Sequence, residues 1–159
     1  MKKRFSHLDE SGKLIMVDVS KKAVTRRTAI ARCRVTMKKE TLRMILDKTV
    51  PKGDVFSCAR LAGIMAAKRT GELIPLCHPL PLELADVRFE PDPETGMIVI
   101  ETHVVATAKT GAEMEALEAA CQAALTVYDM CKAVDRGMVI TELMLMEKSG
   151  GKSGPWKRR

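Results

Sequence analysis

The sequence predicts an α+β fold, a single antiparallel sheet with helices on one face. Three observations lead there. Several segments alternate apolar and polar residues at period two, and others repeat apolar residues every three or four positions. Their order also matters: helical segments separate a first strand from a hairpin, and one long helix separates the hairpin from a last strand.

In residues 28–37, Ala31, Cys33, Val35 and Met37 share one face and Arg32, Arg34 and Thr36 the other, which predicts a half-buried strand. Leu42, Ile45 and Leu46 give the apolar stripe of a short helix over 39–47, and Pro51-Lys52-Gly53 breaks it. Asp54 is placed to cap a second helix running to about residue 69, with Thr70-Gly71 as its stop signal. That helix carries small residues at Cys58, Ala59, Ala62, Gly63, Ala66 and Ala67, a stripe suited to tight packing against the sheet. Residues 73–82 are apolar but hold three prolines, so they form a stiff loop with His78 in its middle.

Strands are expected at 84–90 and 97–107, joined by Pro91-Asp92-Pro93-Glu94-Thr95-Gly96 as a hairpin turn. A long helix follows, opened by the capping box Thr110-Gly111-Ala112-Glu113, with Met114, Leu117, Cys121, Ala124, Tyr128 and Cys131 on one face. Residues 138–146 make the last strand, and 14–20 are expected to add an edge strand. The order is βαββαβ with one additional helix, a ferredoxin-like sandwich. One domain spans residues 1–159, with flexible tails at about 1–12 and 149–159.

Composition narrows the function. The net charge of +7 sits in the tails: residues 1–4 hold three basic side chains and 148–159 hold five, leaving 19 basic against 20 acidic residues between them. A broad basic face for nucleic acid is therefore not indicated. Five cysteines without a C-x-x-C pair read as free thiols of a reducing compartment, and no ligand set has zinc-like spacing. No apolar run approaches the roughly 18 residues of a membrane span, and polar residues follow the basic start where a signal peptide would be apolar. A cytoplasmic protein without membrane or nucleic-acid partners is expected.

Cations stand beside structural punctuation at Arg26-Arg27, Lys52, Lys68-Arg69, Lys109, Lys148 and Lys152, where several of them can converge on a polyanion. Gly150-Gly151-Lys152-Ser153 has the look of a P-loop, but Met146 stands where the pattern needs glycine and Gly154-Pro155 follows where a helix should start. What remains is a glycine-rich segment able to wrap phosphates. On the long helix Asp129 and Lys132 lie at i, i+3, a surface ion pair or, in a closed site, an acid/base couple. Glu113 and Glu115 complement the dipole at the other end, and a carboxylate there also suits the adjacent N–H donors of guanine or a pterin. Glu115 and Asp129 are 14 residues apart, about 21 Å along a helix. If both serve one pocket, they come from different subunits.

The motifs Met-Val-Asp-Val-Ser (16–20), Lys-Gly-Asp-Val-Phe (52–56), Leu-Ile-Pro-Leu-Cys-His-Pro-Leu (73–80), Thr-Gly-Ala-Glu-Met-Glu-Ala-Leu (110–117), Tyr-Asp-Met-Cys-Lys-Ala (128–133) and Lys-Ser-Gly-Gly-Lys-Ser-Gly (148–154) stand in order along the chain. Together they resemble the cyclic pyranopterin monophosphate synthase (MoaC) family of molybdenum cofactor biosynthesis. The resemblance implies a ferredoxin-like fold, a homohexamer built as a trimer of dimers, and active sites at the dimer seam. It implies a lyase-type conversion of 3′,8-cyclo-7,8-dihydro-GTP to cyclic pyranopterin monophosphate with pyrophosphate release. By matching position, Asp129, Lys132 and Lys52 are catalytic. Leu76, Cys77 and His78 form one substrate-binding segment, and Met114 and Glu115, beside Glu113, another. Arg27, Lys68 and Lys148 handle phosphates. No resident cofactor or metal is expected, and Mg²⁺ accompanying the triphosphate is left open. Two rivals remain beside this reading. An RNA-binding module of the same fold lacks the surface aromatics for base stacking, with three Phe, one Tyr and one Trp in the chain. A non-catalytic nucleotide-binding regulator differs only in having no use for the Asp129/Lys132 pair.

Overall fold

The computed structural model describes residues 11–159; the basic start and most of the expected N-terminal tail lie outside the described residues. The elements run β1 (Thr25–Thr36), α1 (Lys39–Leu46), α2 (Val55–Leu73), β2 (Leu82–Asp92), β3 (Met97–Ala108), α3 (Glu113–Cys131), β4 (Val139–Ser149) and β5 (Trp156–Lys157). The sheet order is β2-β3-β1-β4-β5, and all neighbours are antiparallel. The first four strands thus have the ferredoxin-like arrangement, with α2 and α3 on one face.

The inward face carries the alternating residues of β1 (Ala29, Ala31, Cys33 and Val35) and of β3 (Ile98, Ile100 and Val104), all fully buried. Thr102 of β3 also points inward, its hydroxyl donating to the Ala116 carbonyl of α3 at 2.8 Å. The opposite face of the sheet pairs charges across strands, Arg32 with Glu101 and Arg34 with Glu142. Period-two patterning therefore separates core from charge along β1, as the sequence predicts.

The small-residue stripe packs mainly against a helix, where the sequence predicts the sheet. A Cβ on Gly63 would lie 2.8 Å from the Ala119 carbonyl oxygen of α3 and 3.0 Å from a Val87 methyl of β2. The buried face of α3 is correspondingly a run of small residues, Ala116, Ala119, Ala120, Ala123 and Ala124, followed by Val127. Of the expected stripe, Ala124 and Cys131 are fully buried, Leu117, Cys121 and Tyr128 are half-buried, and Met114 is exposed. Close helix approach selects alanines, while periodicity weights bulk.

Four further expectations are corrected. The capping box does not form: the cap of α3 is Ala112, without a side-chain hydrogen bond. Helix α2 continues through Thr70-Gly71 to Leu73, the Thr70 hydroxyl donating back to the Ala66 and Ala67 carbonyls. Residues 14–20 add no strand and contribute an isolated bridge at Leu14. The C-terminal segment is not a loose tail, because Ser149 ends β4 and β5 pairs back onto it, with Glu147 opposite Lys157 and Lys148 opposite Trp156. The Asp54 cap does form, its carboxylate accepting from the Ser57 N–H at 3.0 Å.

Asp135, in the turn after α3, is buried and accepts from the Lys38 N–H, the Thr41 hydroxyl and the Gly137 N–H. It thereby ties the start of α1 to a distant part of the chain. Replacing Gly63 by alanine should force α2 and α3 apart and lower stability by about 1–3 kcal/mol, read as a lower denaturation midpoint at unchanged slope.

Candidate active site

Helices α2 and α3 run antiparallel, so each end of the pair joins one helix start to one helix finish. At one end the proline-rich loop leaves α2 beside the start of α3. Gly71 permits the approach, since a Cβ there would lie 2.9 Å from Pro79 Cα. The loop is thereby pressed against its own helix, and Leu76, Cys77 and His78 line a recess of about 380 Å³ together with Gly111, Glu113, Met114 and Glu115.

Glu115 forms the unusual part of this wall. It is only 3% exposed, and its Oε2 has no hydrogen-bond partner. Burial pushes its carboxyl up to about 7, its own main-chain N–H opposes the shift, and neighbouring Glu113 adds to it. A recess of mixed polar and apolar lining with an unpaired buried carboxyl oxygen calls for a ligand bearing N–H donors. Cys77 is poorly suited to nucleophilic attack, because burial and then Glu115 push its thiol up.

This recess opens into a second, of about 310 Å³, lined by Lys22, Arg27, Lys109, Thr110, Gly111, Glu113, Lys148 and residues of the loop after β4, including Lys152. Lys22, Thr110, Gly111 and Glu113 line both. Arg27 is held at the sheet edge by the Ala108 and Lys109 carbonyls, at 3.4 and 3.3 Å. Lys148 donates to the Ser153 hydroxyl at 2.6 Å and faces Glu113 at 3.6 Å. The Lys109 ammonium donates to the Ser20 carbonyl at 2.8 Å, tying down the segment that carries Val17, Val19 and Lys22. Five cations against one carboxylate make this end a site for a polyanion.

The far end of the helix pair holds a different arrangement. The Lys52 ammonium, from the turn before α2, donates to the Asp129 carboxylate at 2.7 Å and to its carbonyl at 2.9 Å. Lys132 reaches the other carboxylate oxygen at 2.6 Å. First Lys132 and then Lys52 hold the Asp129 carboxyl down to about 2, although its side chain is 55% exposed. The triad is preorganised and open to solvent, with Asp129 ionised throughout the neutral range.

The structure thus gathers Leu76, Cys77, His78, Glu113, Met114, Glu115, Arg27 and Lys148 around two joined recesses, and Lys52, Asp129 and Lys132 around a separate point. Asp129 lines neither recess. Lys68 is exposed on α2 and also lines neither. Lys22 escaped sequence reasoning; the signal was its place just after Met-Val-Asp-Val-Ser. Among the described residues, no group of three or more His, Cys, Asp and Glu side chains is placed to hold a metal ion. No helix among them is long and apolar enough to cross a membrane.

A ferredoxin-like sandwich whose carboxyl-walled recess runs into a cation-lined one is built to bind a small anionic molecule that carries hydrogen-bond donors. The chain belongs to the MoaC family, whose model matches residues 16–151. It is 59% identical to the cyclic pyranopterin monophosphate synthase of Pelotomaculum thermopropionicum, covering 97% of this chain and 91% of that one. The protein of that name from Chloroflexus aurantiacus (strain J-10-fl) is 58% identical, with 96% and 94% covered. Cyclic pyranopterin monophosphate synthase 3 of Mycobacterium bovis is 59% identical, with 96% and 86% covered.

Glu115 binds its proton more tightly in the folded chain than unfolded, so its contribution to stability is present below the unfolded value and lost as pH rises toward 7. Wild type should lose roughly 3 kcal/mol between pH 5 and 8 through this group, whereas Glu115→Gln should flatten that slope in thermal unfolding. Gly71→Ala should displace the loop at Pro79 and raise the KM for substrate about tenfold with kcat little changed, measured by steady-state kinetics.

Proposed function

We propose that this chain forms cyclic pyranopterin monophosphate from 3′,8-cyclo-7,8-dihydro-GTP with release of pyrophosphate, a lyase step of molybdenum cofactor biosynthesis. The observation that carries this reading is the junction of the Glu115 recess with the cation-lined one. A purine-derived ring system offers adjacent N–H donors to Glu115, and the triphosphate then extends past Glu113 and Lys22 toward Arg27, Lys109, Lys148 and Lys152. Closing a cyclic phosphate breaks the bond to the outer two phosphates, and cations set around them stabilise the departing charge.

The ring rearrangement needs proton transfers, for which Lys52, Asp129 and Lys132 form a connected relay. With Asp129 ionised and bonded to both ammonium groups, the lysines are the proton-carrying members. About 21 Å of helix separates Asp129 from Glu115, so one subunit's relay serves the recess of another, in keeping with a hexamer assembled from dimers with seam sites. The reading places the enzyme in the cytoplasm, with no resident cofactor.

Incubation of the pure protein with the cyclised GTP derivative should yield pyrophosphate and a pterin together; the appearance of neither would reject the reading in favour of a nucleotide-binding regulator. Lys132→Ala should abolish turnover and leave substrate affinity within about tenfold, as calorimetry and product analysis would show.

A further inference from the structure

The glycine-rich segment that lines the phosphate recess is not an open tail. Lys148 lies at the end of β4, and the chain turns through residues 150–155 and returns as β5. Three glycines in that turn have left-handed φ values, 94° at Gly150, 74° at Gly151 and 66° at Gly154. A Cβ on Gly150 would collide with the Arg26 carbonyl, and one on Gly151 with the Arg27 guanidinium. The loop is therefore wrapped closely around Arg27, and the Gly154 N–H donates across it to the Gly151 carbonyl at 3.1 Å.

The return strand is fastened at several points. The Arg158 N–H donates to the Met146 carbonyl at 2.8 Å, and the Arg158 Nε to the Leu145 carbonyl at 2.7 Å. Lys157 forms an ion pair with Glu147. The Arg158 guanidinium also lies over the Trp156 ring, 5.6 Å from its centre. The two hydrogen bonds of Arg158 and the Lys157–Glu147 pair join residues 156–158 to the strand that delivers Lys148, and the Arg158–Trp156 contact stiffens the returning segment itself. Without them the chain after Ser149 would have one anchored end, and Lys152 and Ser153 would lose their fixed place beside Lys148.

We infer that β5 is a clasp that positions the phosphate-handling loop, holding Lys148, Lys152 and Ser153 about Arg27 before the polyanion arrives. This rests on the assignment of that recess to the phosphate chain of the substrate. An ordered loop spares the ligand the cost of immobilising it, so the clasp acts on affinity for the phosphate end and not on the chemical step. The residues of β5 line neither recess and work through the loop as positioning residues.

The test uses the full chain, a truncation lacking residues 156–159, Arg158→Pro and Arg159→Gln. Proline at 158 removes the N–H that pairs with Met146, while Arg159→Gln removes one tail charge and keeps that N–H. Inorganic pyrophosphate is the probe in calorimetry, alongside kinetics with the cyclised GTP derivative. The truncation and Arg158→Pro should weaken pyrophosphate binding about fivefold or more and raise KM in step, with kcat within about twofold. Their thermal midpoints should stay within about 3 °C of the full chain, and Arg159→Gln should bind pyrophosphate like the full chain. Unchanged pyrophosphate affinity in the truncation and Arg158→Pro overturns the clasp, as does equal weakening by Arg159→Gln or no pyrophosphate binding by the full chain. A full chain that binds pyrophosphate but forms no pterin defeats the functional reading, and the pyrophosphate comparison still decides the clasp.

Discussion

The close approach of two antiparallel helices governs the rest of this molecule. Gly63 and the alanine run from Ala116 to Ala124 let the backbone of α2 approach the backbone of α3, and that contact sets what lies at either end. Below it, the turn before α2 meets the finish of α3, so Lys52 reaches Asp129. Above it, the loop leaving α2 meets the start of α3, so Cys77 and His78 line one wall with Glu115. A wider helix pair would separate both sets of groups together. The few aromatics in the chain fit this geometry, because a core filled with large rings could not bring the helices so near.

The two ends differ in physical character as much as in composition. Glu115 is buried with its Oε2 unpartnered, so desolvation outweighs the bond from its own main-chain N–H and its protonation responds to whatever fills the recess. Asp129 is exposed yet held by two ammonium groups, so its charge is settled before any ligand arrives. A buried carboxyl of the first kind reads a ligand's hydrogen-bond pattern, since failing to satisfy it leaves an unpaired polar atom. A solvent-facing ionic triad of the second kind keeps its members in position without discriminating among ligands. The two ends of one helix thus carry carboxyl groups of opposite character, one buried with its charge disfavoured and one exposed with its charge fixed.

Much of this was legible in the sequence because period-two and period-three-to-four patterns report directly on burial. Strands β1 and β2 were readable from alternation, β3 from its β-branched residues, β4 from its apolar run, and the hairpin turn from proline and glycine placement. The helix contact was harder. Alanine is indifferent to periodicity arguments weighted by side-chain bulk, so Met114, Leu117 and Tyr128 drew attention away from Ala116, Ala119 and Ala123. Thr110-Gly111-Ala112-Glu113 has the spacing of a capping box, but Glu113 turns instead toward Lys148 across the sheet edge, a partner that no local pattern announces. Thr70-Gly71 misled for a related reason. That glycine serves a close contact with Pro79 and not a helix end, and the two uses are identical in one dimension. Lys22 was harder to find, because one of two adjacent lysines after an irregular segment carries no periodic pattern and only its place behind Met-Val-Asp-Val-Ser marks it.

The charge distribution shows how such one-dimensional facts change meaning on folding. Along the chain the excess positive charge belongs to the termini and looks like solvated tail. In the folded chain the C-terminal part of it doubles back as a hairpin, and Lys148 and Lys152 come to face Arg27, Lys22 and Lys109 from the opposite side. Five cations drawn from four separate stretches repel one another across this recess, and three of them are held by neighbouring groups: Arg27 by two carbonyls, Lys109 by the Ser20 carbonyl, and Lys148 by Ser153 and Glu113. That repulsion is relieved only when a polyanion enters. Once the hairpin closes, two cations of that tail, Lys148 and Lys152, add to the positive field of the recess. The local arrangement around β4 and β5 thus converts an unspecific net charge into a directed one.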